Sequence, residues 1–183
     1  MKDVSLIPFN GKSPQIHESA FIAPGSRLIG DVRVGAGSSI WYNCVLRADV
    51  NYIEVGERSN IQDGTVVHCD GDHGPDHPGI PTIIGDDVLI GHMAMIHGTK
   101  LHDKSFVGLG AIVMDGCEIE SGGMIAAGGM LTPGKVIKAG EMWGGSPARK
   151  MRDLTEQQQA INNLGTMHYA QLAPQHADAV NQS

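Results

Sequence analysis

A chain of 183 residues with a formal net charge of −7 is sized for one domain, and with no Lys/Arg cluster it offers no phosphate-binding surface for a nucleic acid. Aromatic residues make up 4% and glycines number 25, so the core must come from Val, Ile, Leu, Ala and Met, which suits thin stacked coils. No apolar run approaches the ~20 residues of a membrane span. The first residues lack the apolar core of a secretion signal, and three scattered cysteines (Cys44, Cys69, Cys117) read as a reduced, cytoplasmic setting.

Residues 1–15, with Pro8, Gly11 and Pro14, read as an irregular lead-in. From Ile16 onward aliphatic residues recur every six positions: Ile16, Ile22, Leu28, Val34, Ile40 and Leu46, then Val55, Ile61 and Val67. Ile84, Ile90 and Ile96 follow, and the series from Leu101 through Val107, Val113, Ile119, Ile125, Leu131 and Ile137 closes at Trp143. No helix has a period of six, and the glycine load would cost an α-helix about 1 kcal/mol per residue. The pattern predicts an all-β solenoid over 16–147, one short strand and one tight corner per hexapeptide and three hexapeptides per triangular coil. A Gly-rich β-sandwich is set aside because its strands would alternate at two.

The series breaks between Leu46 and Val55, between Val67 and Ile84, and between Ile96 and Leu101. The largest break, 69–82, is predicted as a surface loop carrying Asp70, Asp72, His73, Asp76 and His77. Beyond Pro147 the run from Asp153 to Glu156 has the form of a helix N-cap, which predicts a helix over 153–173, stopped by Pro174 and packed along the solenoid. The remainder, 174–183, is expected to be a mobile tail.

The repeat serves as a ruler for the histidines. His68 and His97 each follow an inward residue, Val67 and Ile96, three steps apart. Three steps is one coil, so the two imidazoles should stack outward on one face at about 4.8 Å between backbones. Arg47 belongs to the same column. His92 lies one step earlier, on the neighbouring face, at the same position as Asp63 one coil below, with Gln62 beside it. His92 should not reach an ion held by His68 and His97 of its own chain, but a second subunit can supply it. The count therefore predicts a closed homotrimer with a three-His metal site between subunits. Arg47 and Asp49 read either as an ion pair across that interface or as catalytic groups. His17, His102, His168 and His176 are read as ordinary surface or packing residues.

These residues resemble the γ-class carbonic anhydrases and their bacterial relatives. The matching stretches are Arg47-Ala48-Asp49, the run Arg58 to Gly64, His68, and the run Gly91 to Gly98. The resemblance implies a left-handed parallel β-helix with a C-terminal helix alongside, a homotrimer, and an intersubunit metal, zinc or in some members iron or cobalt. It implies that His68, His92 and His97 hold the metal, that Arg47 and Asp49 pair across the interface, and that Gln62 and Asp63 line the site with Asn60 nearby. Tyr169 would match a tyrosine overhanging the site. The chain departs from the archetype at Val50, where an acidic residue is expected, and in its shorter loop, which lacks the proton-shuttling glutamate and reads either as a solvated loop or as offering His73 or His77 for that job.

The expected activity is that of a zinc-dependent lyase: metal-hydroxide attack on CO2 giving bicarbonate. Coenzyme A thioester hydrolysis or acyl transfer is the rival enzyme reading, and a non-catalytic metal-binding trimer is the third.

Overall fold

A computed structural model describes residues 2–182; the notional ends of the lead-in and the tail, Met1 and Ser183, lie outside the described residues. The fold is a parallel β-solenoid with one C-terminal helix, Glu156–Gln182. Each coil contributes to three walls, and in two coils one long strand, Arg27–Val34 or Val45–Val55, runs through both the first and the second. The first wall stacks Leu28, Leu46, Val67, Ile96, Val113 and Leu131 in register. The second stacks Ile16, Val34, Val55, Ile84, Leu101, Ile119 and Ile137. The third stacks Ile22, Ile40, Ile61, Ile90, Val107, Ile125 and Trp143.

Nearly every one of these inward side chains is buried, and most are fully so. Complete burial of such an aliphatic side chain contributes about 1.5–3 kcal/mol, so the ladder of Leu, Ile and Val is the main source of stability. Backbone N–H and C=O groups pair from coil to coil, which satisfies a chain too thin to hide unpaired ones. Corners need left-handed backbone, and glycines at 64 and 98 supply it with φ of 71° and 47°.

Several sequence expectations require correction. Ser5–Ile7 is a strand, paired in parallel with Arg27–Ile29, so the lead-in is not wholly irregular. Leu46 and Val55 lie in one long strand, Val45–Val55, which pairs with Arg27–Val34 and shifts register between Gly30 and Val32. The solenoid is capped by an antiparallel pair, Glu141–Gly145 with Ala148–Asp153, so Asp153 belongs to a strand. Thr155 caps the helix instead: its Oγ1 accepts from Gln158 N at 3.3 Å, and Gln158 Oε1 accepts from Thr155 N at 3.1 Å.

The helix also passes through Pro174 to Gln182, where a stop followed by a mobile tail had been expected. A proline in a helix interior costs about 3 kcal/mol. Packing beyond it offsets that cost: the His176 ring stands edge-on to Trp41 at 4.8 Å while its Nδ1 lies 2.9 Å from the Tyr42 hydroxyl. The helix thereby covers the outer side of the third wall, over Phe21–Ile22, Ser39–Ile40, Asn60–Ile61 and Leu89–Ile90. No helix among the described residues is long and apolar enough to cross a membrane.

Candidate metal centre

The register places Arg47, His68 and His97 as direct neighbours on successive coils of the first wall. Each follows a buried inward residue, so each side chain projects outward. His68 Nδ1 and His97 Nε2 face each other at 2.9 Å. The other nitrogen of each ring is backed by a carboxylate. His68 Nε2 lies 2.9 Å from Asp49 Oδ1, and His97 Nδ1 lies 2.5 Å from Asp115 Oδ1. A metal-ligating histidine characteristically gives its second ring N–H to a carboxylate, which fixes the tautomer and raises the basicity of the ligating nitrogen.

Asp49 serves two partners. Its other oxygen takes Arg47 Nη1 at 2.5 Å within the same chain. Burial pushes the Asp49 carboxyl up, but the hydrogen bonds with His68 and Arg47 outweigh it and hold its pKa below the ordinary aspartate value. The carboxylate therefore stays ionised and available to orient His68.

His92 sits at the corner between the third wall and the first. Its Nδ1 is 2.7 Å from Asp63 Oδ2, and its Nε2 is 3.3 Å from the Tyr169 hydroxyl. Tyr169 reaches it from the helix, held edge-on against Trp41 at 5.1 Å. Burial, with a contribution from Asp63, raises the Tyr169 pKa, so the phenol keeps its proton. Among the described residues no hydrogen bond or ion pair joins His92 to His68 or His97, in line with their places on different walls.

Asn60 and Gln62 are buried outside the core ladder, on the wall that the helix covers. Gln62 Nε2 donates to Asn60 Oδ1 at 3.1 Å, while Asn60 Nδ2 is buried without a partner. An unmet buried donor costs about 1–3 kcal/mol.

A single chain thus assembles three separate groups: Arg47–Asp49–His68–His97–Asp115, Asp63–His92–Tyr169, and Asn60–Gln62. The sequence reveals all of these except Asp115, which lies one coil above Gly98 and shares its corner position; it offers Asp49 as an ion-pair partner of Arg47 or a catalytic group, not as the carboxylate behind His68. The 69–82 loop brings Asp70, His73 and His77 together as well, their ligand atoms all within 4.8 Å of one another. His176, read as ordinary, turns out to anchor the helix.

Apolar residues flank the histidine column. Val45, Val66, Met95, Ile112 and Met130 form the adjacent outward column on the first wall. Val66 and Met95 are exposed, as are Met93 and Leu109 at the neighbouring corner.

Comparisons with known proteins agree with this architecture. Residues 13–48 match the family model described as bacterial transferase hexapeptide (six repeats). The chain is 46% identical over 168 residues to gamma carbonic anhydrase 1, mitochondrial, of Arabidopsis thaliana, covering 91% of this chain and 60% of that protein. It is 43% identical over 158 residues to a probable carbonic anhydrase of Methanocaldococcus jannaschii, covering 86% of this chain and 95% of the relative. Among solved structures, a hexapeptide transferase family protein from Anaplasma phagocytophilum superposes with a TM-score of 0.87 at 44% identity, covering 95% and 98% of the two chains.

The chain belongs to the hexapeptide-repeat β-helix proteins, and within them to the γ-class carbonic anhydrase-like family. It spans about three fifths of the length of the Arabidopsis relatives it matches.

Proposed function

We propose that the protein is a γ-type carbonic anhydrase, a lyase interconverting CO2 and bicarbonate at a zinc site shared between subunits of a homotrimer. The observation that carries the reading is the pair of imidazole nitrogens facing each other at 2.9 Å, each ring held from behind by a carboxylate. That donor set suits zinc, or iron or cobalt in its place. His68 and His97 of one subunit would be completed by a His92 from the next, leaving a fourth position open. The apolar strip beside the column supplies the surface on which the subunits meet, and the names of the relatives support the substrate.

His68, His97 and a neighbouring subunit's His92 would hold the zinc as three neutral ligands, and the ion when bound would supply Lewis acidity enough to activate water near neutral pH. The chain's own residues do the rest. Asp49 and Asp115 fix the tautomers of the two stacked imidazoles. Asp63 fixes the ring of His92. Gln62, anchored to Asn60, presents its amide to orient substrate oxygen, and Tyr169 closes the site from the helix. Arg47 completes the seam, either held by Asp49 of its own chain or exchanging partners across the interface.

Metal analysis of anaerobically purified protein, combined with stopped-flow CO2 hydration, tests the reading. Hydration well above a His68→Ala control, in proportion to bound metal, is expected. A metal-loaded protein indistinguishable from that control is a non-catalytic trimer. The hexapeptide-transferase match favours acyl-thioester chemistry as the second reading. Thioester cleavage by the metallated protein in the absence of CO2 hydration would establish it.

A further inference from the structure

We propose that the 69–82 loop is a second binding site for a divalent transition-metal ion, built from Asp70, His73 and His77 and separate from the stacked-histidine centre. The loop doubles back on itself. Its base is closed by a two-way backbone pair, Asp70 N to Ile80 O at 2.8 Å and Ile80 N to Asp70 O at 3.2 Å. Asn51 Nδ2 donates to Asp70 O at 3.0 Å, tying that base to the coil below. At the tip His73 N donates to His77 O at 2.9 Å, His77 N donates to Gly74 O at 2.9 Å, and Gly74 N is held by Asp72 Oδ1 at 2.8 Å.

This backbone sets the two imidazoles side by side, ring centres 5.2 Å apart and planes within 29° of parallel. Both turn their Nε2 atoms to the same carboxylate: His77 Nε2 is 2.6 Å from Asp70 Oδ2, and His73 Nε2 is 3.5 Å from Asp70 Oδ1. Two imidazoles and one carboxylate converging from one side, with the other side open to water, form a ligand set for zinc, cobalt, nickel or copper rather than for magnesium or calcium. The three ligand atoms lie within 4.8 Å of one another, so small side-chain rotations suffice to bring each to the distance of about 2.0–2.2 Å that an ion requires. His73 and His77 are exposed and free to turn, while the less exposed Asp70 is the fixed point. An ion there would take over the role that the His–Asp hydrogen bonds fill and would staple the loop tip to its base.

The site abuts the stacked-histidine centre without sharing a ligand with it. A side chain built at Gly98, next to His97, would touch Asp70 Cβ. The test uses the 183-residue chain stripped with chelator and titrated with cobalt(II), followed by calorimetry and by visible absorption, with His73→Ala/His77→Ala, Asp70→Asn and His68→Ala/His97→Ala variants beside it. The wild type is expected to bind about one more ion per chain than the loop double variant. His68→Ala/His97→Ala should keep the loop ion, and Asp70→Asn should bind it at least ~10-fold more weakly. Unchanged stoichiometry and affinity in His73→Ala/His77→Ala overturn the proposal. Because the His68→Ala/His97→Ala titration reads the loop alone, failure of the intersubunit site leaves this result intact and is told apart from it.

Discussion

Asp115 Oδ1 lies 2.5 Å from His97 Nδ1, and Gly98 is what lets it arrive there. A side chain at Gly98 would collide with that carboxylate oxygen, and the backbone at Gly98 is left-handed with φ of 47°. The absence of a side chain at one corner thus fixes the orientation of an imidazole. Asp115→Ala should leave the solenoid folded and weaken metal binding about 10–100-fold. Gly98→Ala should weaken it similarly and also cost about 1 kcal/mol of stability or more through backbone strain. Competition with a chromophoric chelator, alongside thermal unfolding, measures both.

Subunit mixing tests the sharing of the site. His68→Ala and His92→Ala should each abolish metal binding in their own homotrimers. Co-refolded at equal ratio, random trimers recover about a quarter of the wild-type sites, because every mixed ring contains one interface with all three histidines. Recovery of none would place the three ligands within one chain or dismiss the shared site altogether. Bound metal per chain is the readout, independent of activity.

Trp41 is nearly buried and touches Phe21, Tyr42, Tyr169 and His176. Removing it should strip the helix of its main anchor. Trp41→Ala is expected to cost about 3–5 kcal/mol, in the range for a buried tryptophan. Proteolysis should then cut first in the 156–182 helix, leaving a solenoid core. Cutting within the solenoid as early as within the helix would refute this.

The three cysteines should behave as inert thiols. Burial pushes the Cys44 pKa to about 12, and its Sγ lies 3.1 Å from the Gln62 carbonyl oxygen that accepts from it. Burial raises Cys69 and Cys117 as well. A raised thiol pKa means little thiolate at any pH below it, and thiolate is the reactive form. At pH 8 the native protein should therefore resist Ellman's reagent, and all three thiols should react once it is unfolded. A rapid native burst at pH 8 would contradict the prediction.

The column of Arg47, His68 and His97 was legible in the sequence because a six-residue period converts chain position directly into wall and storey. The same arithmetic separated His92 from them. What escaped depends on side chains that cross between coils or on packing that overrides a local rule. Asp115 sits in an ordinary corner, and nothing in its own hexapeptide marks it as the partner of His97. Pro174 is a helix breaker by local chemistry, yet His176 meeting Trp41 lies beyond any periodicity. The pairing of Ser5–Ile7 with Arg27–Ile29 was hidden because the lead-in breaks the repeat before the ladder starts.

The pinch between Asp70 and Ile80 has an evolutionary consequence. An extra residue within a wall strand turns its inward groups outward unless a bulge or corner absorbs it. Residues between the pinch points escape that rule, because His68 enters and Thr82 leaves at the same storey whatever lies between. Lineages can lengthen, shorten or replace this segment without disturbing the imidazole stack, and an engineer can graft a peptide there on the same terms.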